Sequence, residues 1–179
     1  TVTATTYTGA LASAVTATTQ SAGDNSTKVA TTAYTDAAVA AAGGRYDLLA
    51  TVACSGTDPF TTTGLAQYEA IEVVVAGISG TVNGTPSFSI TDDNGSNWSS
   101  NFNIFGSLSS TNTLTGTITI RNTGASSTSK IITIATTDSA GTAYRSYEVE
   151  ATETGVVNGI RFNVGGDGDA GNYYIFGIG

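Results

Sequence analysis

The chain has 179 residues, enough for one ordinary domain plus an appendage and enough to bury a core. Only 11% of the residues are charged, and the formal net charge is −8 with six basic residues scattered along the sequence. No basic patch exists to neutralise phosphates and no apolar run approaches the length of a membrane-spanning helix, so neither nucleic acid nor membrane insertion is expected.

Residues 1–22 are almost wholly Thr, Ala, Ser, Val and Gly, with Tyr7 and Leu11 as the bulky exceptions. So few large side chains cannot offset a backbone ordering cost of roughly 1–2 kcal/mol per residue. This reads as an extended, shaft-like segment that is either packed by another chain or serves as a linker.

Residues 23–44 change character. Asp24, Asn25, Ser26 and Thr27 are N-cap candidates, and Gly43-Gly44 is a natural helix stop. Between them Ala30, Ala33, Ala37 and Ala40 recur at helical spacing, flanked by Val29, Tyr34, Ala38, Val39 and Ala41. A helix of about 15 residues is marginal alone. Its small face suits close approach to copies of itself, and Val29, Tyr34 and Val39 could equally hold it on its own domain.

Residues 45–179 switch to a period of two. The strand candidates are Tyr46–Cys54, Ala70–Ile78, Pro86–Thr91, Asn101–Phe105, Leu114–Arg121, Lys130–Thr136, Tyr144–Ala151, Val157–Val164 and Asn172–Ile178. In "TLTGTITIR", Leu114, Gly116, Ile118 and Ile120 fall on one face and Thr115, Thr117, Thr119 and Arg121 on the other. "SYEVEA" sends Tyr147, Val149 and Ala151 inward and Ser146, Glu148 and Glu150 outward. Such alternation means one buried and one wet face, as in antiparallel sheets. "AIEVVVAGI" and "NYYIFGI" are apolar on both faces, which predicts a second layer such as a subunit interface. The fold class expected is mainly β: an antiparallel β-sandwich, jelly-roll-like, preceded by the extended segment and one short α-helix.

The densest polar loop is "TDDNGSNW". Asp92, Asp93, Asn94 and Asn97 could meet a cation or sugar hydroxyls, and Trp98, the single tryptophan, could stack on a sugar face. The spacing fails the calcium-loop pattern, and Asn94-Gly95 is also a strong hairpin signal with Trp98 partly packed beside it. "GGDGDAGN" has Ala170 where a calcium-binding nonapeptide needs an acid and occurs once, so it reads as a turn before the last strand. No metal or cofactor is expected.

Histidine is absent, which removes the commonest acid/base catalyst and metal ligand. Glu148 and Glu150 lie on a solvated strand face, and nothing sets them or Glu153 across a cleft from a second carboxylate. No catalytic residue is assigned, and the chain reads as a non-enzyme. Cys54, the lone cysteine, reads as a small core residue. Without an initiator methionine, the chain reads as either a processed chain or a fragment of something longer, and the Thr-rich start favours the fragment.

"TTQSAGDNSTKVATTAYTDAAV" (residues 18–39) closely resembles a segment that precedes the C-terminal domain in many bacteriophage tail-fibre and related virion proteins. "PFTTTGLAQYEAIEVVVAGIS", "FSITDDNGSNWSS" and "VNGIRFNVGGDGDAGNYYIFGIG" resemble, more loosely, a β-sandwich tip module of the same proteins, with Phe176 where tyrosine is usual. The resemblance implies a homotrimeric fibre end in a virion: a shaft, a helical collar whose contacts include Val29, Ala30, Ala33, Tyr34, Ala37, Ala40 and Ala41, then a trimer of jelly rolls. Other virion proteins would join through the part preceding residue 1, and a host cell-surface glycan or protein would be the receptor. The alternative is a structural head-fibre, collar or spacer protein with no receptor.

Overall fold

The computed structural model describes residues 46–65, 68–141 and 144–179. The shaft segment, the expected helix and its contact residues Val29, Ala30, Ala33, Tyr34, Ala37, Ala40 and Ala41 lie outside the described residues. Among the described residues every regular element is a strand: β1 (Asp47–Ala53), β2 (Phe60–Thr63), β3 (Ala70–Gly80), β4 (Ser87–Thr91), β5 (Phe102–Asn103), β6 (Leu114–Arg121), β7 (Lys130–Asp138), β8 (Tyr144–Ala151), β9 (Gly159–Asn163) and β10 (Gly168–Ile178).

Two sheets form, a six-stranded one in the order β1-β10-β3-β6-β7-β8 and a four-stranded one in the order β2-β9-β4-β5. Every named pairing is antiparallel. The chain therefore crosses between sheets after β1, β2, β3, β5, β8 and β9, while β6-β7-β8 runs as a meander widening the larger sheet.

Alternation places the core between the layers. Ile71, Val73 and Val75 of β3, Ile118 and Ile120 of β6, and Ile132 and Ile134 of β7 are fully buried, facing Phe88, Ile90, Ile160 and Phe162 of the smaller sheet. Phe162 stacks on Tyr173 across the layers at 3.9 Å between ring centroids. Towards β7 and β8 the smaller sheet offers its edge strand β5, where Tyr147 Oη of β8 donates to Asn103 O. Ile104 and Phe105, just past β5, are buried there, and Thr136 Oγ1 donates to Ile104 O at 2.5 Å.

Three departures from the expected strands have local causes. Strand β2 is absent from the sequence reading because "FTTT" carries one apolar residue, too few for a visible period; its register on β9, Phe60 opposite Phe162, supplies the missing support. Strand β10 starts at Gly168 rather than Asn172, since the Gly/Asp run pairs with Gly80 and Ser79 through two bulges. Strand β4 is buried on both faces, Ser87, Ser89 and Thr91 included. The segment after it folds back, with Ser99 N donating to Ile90 O at 2.9 Å and Ser89 Oγ to Asn101 Oδ1 at 2.6 Å.

Strands β3 and β10 bury one face each. Their outward residues Val74, Tyr174 and Phe176 are half-buried and form an apolar strip beside Leu48, which is 58% exposed.

Strand direction sorts the connections into two ends. Tyr46 and Gly179 share one end with residues 64–65 and 68–69 and the loops 92–101, 122–129 and 152–158, because Asp47 pairs with Gly177 and Ala70 with Ile178. The opposite end carries 54–59, 81–86, 104–113, the β7–β8 turn and 164–167, with neither Tyr46 nor Gly179.

Candidate functional site

The polar loop after β4 is built around a tight turn. Asn94 and Gly95 take φ values of 57° and 89°, the left-handed region that suits Asn-Gly and reverses the chain with little strain. The Asp93 carboxylate accepts from Thr91 Oγ1 (2.7 Å), Asn97 N (2.8 Å) and Asn97 Nδ2 (2.7 Å). Those bonds, led by the Asn97 N–H, lower its pKa to about 2. Asn158, from the β8–β9 loop, clasps the same turn, accepting from Asn94 N (2.9 Å) and donating to Asp92 O (2.8 Å). Asn158 went unnoticed in the sequence, where it falls inside the strand candidate Val157–Val164; the strand itself starts one residue later, at Gly159.

Trp98 is half-buried, with the Arg161 guanidinium 4.7 Å over its ring. The structure thus brings Asp92, Asp93, Asn94, Asn97 and Trp98 into one loop, but Asp93 and Asn97 bond each other and Trp98 covers Arg161. Asp92 and Asn94 keep exposed side chains. The loop sits at the end that carries Tyr46 and Gly179.

At that same end, the β6–β7 loop is pinned by a buried cation. Lys130 is 0% exposed, and its ammonium donates to the carbonyls of Asn122 (2.8 Å), Ala125 (2.6 Å) and Thr128 (3.0 Å). All three donors of the ammonium are therefore satisfied. Desolvation lowers the Lys130 pKa, opposed by the charge of Asp92. Sequence reasoning missed this, because a lysine at a strand start is ordinarily solvated. Shallow clefts of about 670 Å³ (Tyr68, Glu69, Arg121) and about 480 Å³ (Ser127, Thr128, Glu148, Glu150) flank the loop, and neither is lined by the Asp92–Trp98 residues.

The opposite end is tied differently. The Asp58 carboxylate accepts from Val164 N (2.9 Å) and Gly165 N (3.3 Å), and burial raises its pKa despite those bonds. Thr81 N donates to Asp167 O at 2.7 Å, and Gly84 and Leu108 exchange two main-chain bonds at 3.0 and 2.8 Å. Asn83 Oδ1 accepts from Ser110 N at 2.8 Å. Ser139 and Thr113 are joined by Ser139 N to Thr113 O (2.8 Å) and Thr113 N to Ser139 Oγ (3.0 Å). Ser79 Oγ donates to Asp169, so the "GGDGDAGN" run is anchored strand and turn.

Beneath this end lies Cys54, fully buried, its thiol pKa pushed up to about 11 by burial and then by Asp58. A buried thiol held protonated is inert. Nearby Tyr173 is fully buried, and its hydroxyl has no hydrogen-bond partner among the described residues.

Glu148 and Glu150 are exposed on the outward face of β8, as alternation requires. Among the described residues, no group of three His, Cys, Asp or Glu side chains comes together that could hold a metal ion. Comparison with protein-family models, with curated proteins and with solved structures returned no match.

Proposed function

We propose that this chain is the C-terminal part of a bacteriophage virion fibre, in which a trimer of β-sandwiches attaches the particle to the host surface. The observation that carries this reading is the segment "GDNSTKVATTAY" directly ahead of a β-body. Two features of the body support it. Strands β1-β10-β3-β6 over β2-β9-β4-β5, with β7-β8 appended, follow the winding of a jelly roll. Tyr46 and Gly179 also share one end of the sandwich, as Asp47 pairs with Gly177. The strip of Leu48, Val74, Tyr174 and Phe176 is the face that copies of the chain would share in such a trimer.

The chain carries no catalytic duty in this reading: it binds and positions. The test is the full chain in solution, by light scattering and by binding of labelled protein to a panel of bacterial strains. A trimer that binds some strains and not others is expected. A monomer at micromolar concentration would remove the trimer, and a trimer that binds no strain would leave a structural virion part.

A further inference from the structure

Resting on the attachment reading, we propose that the end of the sandwich opposite Tyr46 and Gly179 is a preorganised surface for a neutral saccharide. The loops at residues 55–58, 81–85, 106–113 and 165–167 form it.

The first argument is rigidity. Surface loops ordinarily lose entropy on binding, and fixing them beforehand removes that cost. Here each loop is fastened to a neighbour mainly through main-chain groups: Asp58 to Val164 and Gly165, Thr81 to Asp167, Gly84 to Leu108, and Thr113 to Ser139. Leu108 anchors its loop from inside, only 2% exposed. Gly84 and Gly165 meet so closely that a side chain at Gly84 would strike Val164 O at 2.6 Å. Because the backbone does the fastening, the side chains of Thr57, Thr81, Thr85 and Ser107 are exposed and make no hydrogen bond among the described residues.

The second argument is chemistry. A hydroxyl both donates and accepts, so a field of Thr and Ser hydroxyls matches the hydroxyls of a sugar in either sense. Val82, 52% exposed, offers one apolar contact for a ring's C–H face, and Tyr144, 69% exposed at the start of β8, offers an aromatic one. A protein partner would want a buried anchor pocket and arginine; the loops themselves contain neither Lys nor Arg, and the neighbouring Arg145 lies against Gly106 with its guanidinium over the Tyr147 ring.

Charge selects among saccharides. Asp58, Asp167 and Asp169 outnumber Arg145 at this end of a chain with net charge −8, so uronate or phosphate groups meet net repulsion. The loop with the most conspicuous polar sequence, Asp92–Trp98, lies at the far end and takes no part.

The test is the full chain on an array of neutral and acidic bacterial saccharides, beside two variants. Thr57→Ala/Thr81→Ala/Thr85→Ala removes exposed hydroxyls without touching a loop tie. It should weaken binding about tenfold or more at unchanged thermal stability. Asn94→Ala/Trp98→Ala, at the other end, should leave the affinity unchanged. Binding of the wild-type chain should vary little with salt, as expected for an uncharged ligand. Preference for acidic saccharides, or loss confined to the Asn94/Trp98 variant, would overturn the inference while leaving attachment intact. Capture of a host protein with no saccharide bound would do the same. A chain that binds no strain and no saccharide removes both readings together.

Discussion

The two ends of the sandwich use similar polar residues in opposite ways. At the end with Tyr46 and Gly179, side chains are turned on the fold itself: Asp93 closes its own turn, Asn158 clasps it, and Lys130 fills a ring of carbonyls. At the other end, mostly backbone groups tie loop to loop and leave hydroxyls facing outward. Under the proposal above, the density of polar residues in a loop says less about a binding surface than the partners those residues already have.

That contrast can be broken at its strongest point first. Lys130→Met leaves three carbonyls without their buried donor and should lower stability by about 3 kcal/mol, read by denaturant unfolding. Its effect should stop at its own end, leaving any binding at the opposite loops unchanged. Asp58→Ala removes the acceptor of two main-chain N–H groups and should cost about 2 kcal/mol. It should also weaken ligand binding, since it loosens the loops themselves; an unaffected affinity would show that preorganisation is not what they supply.

Asn158→Ala should cost about 1 kcal/mol and expose Trp98, whose fluorescence reports the loop alone because it is the single tryptophan. A smaller and more local effect comes from acid. Asp93 has a folded pKa of about 2 against an ordinary value of 3.8, so the folded loop is favoured above 3.8 and that preference fades as pH falls towards 2. Trp98 emission should shift over that window. Asp58, whose folded pKa is raised by burial, works in the opposite sense: its contribution favours the fold at low pH and is lost as pH rises through the folded value. An Asp58→Asn variant should remove that second dependence and keep the first. Smallest of all, Tyr173→Phe takes away a buried hydroxyl with no partner among the described residues and should raise stability by no more than about 0.5 kcal/mol.

Much of the β-body was legible in the sequence because a strand's pattern is local. Leu114–Arg121 and Tyr144–Ala151 match their expected bounds, and their inward and outward residues fall as alternation placed them. Cys54 was legible as core for the same reason, and Asn94-Gly95 as a turn because positive φ is a property of those residues. Other features depend on partners distant in sequence. Phe60–Thr63 becomes a strand only because β9 lies beside it. Ser89 and Thr91 are buried because a later loop returns over them, and Lys130 is buried because the loop before it curls round its ammonium. The candidate site was the least legible part. Composition drew attention to Asp92–Trp98, while the ties among the loops at the other end join backbone groups of distant segments, which no local pattern displays.

By itself the sequence determined that this is a weakly charged, strand-forming chain, roughly where most of its strands lie, and which face turns inward in strands such as β6 and β8. Those properties follow from side-chain spacing and turn chemistry over a few residues. Only the tertiary structure decided the order of the strands, which loops share an end, and which polar groups remain unpaired. Each of these depends on contacts between segments that the chain brings together only when it folds.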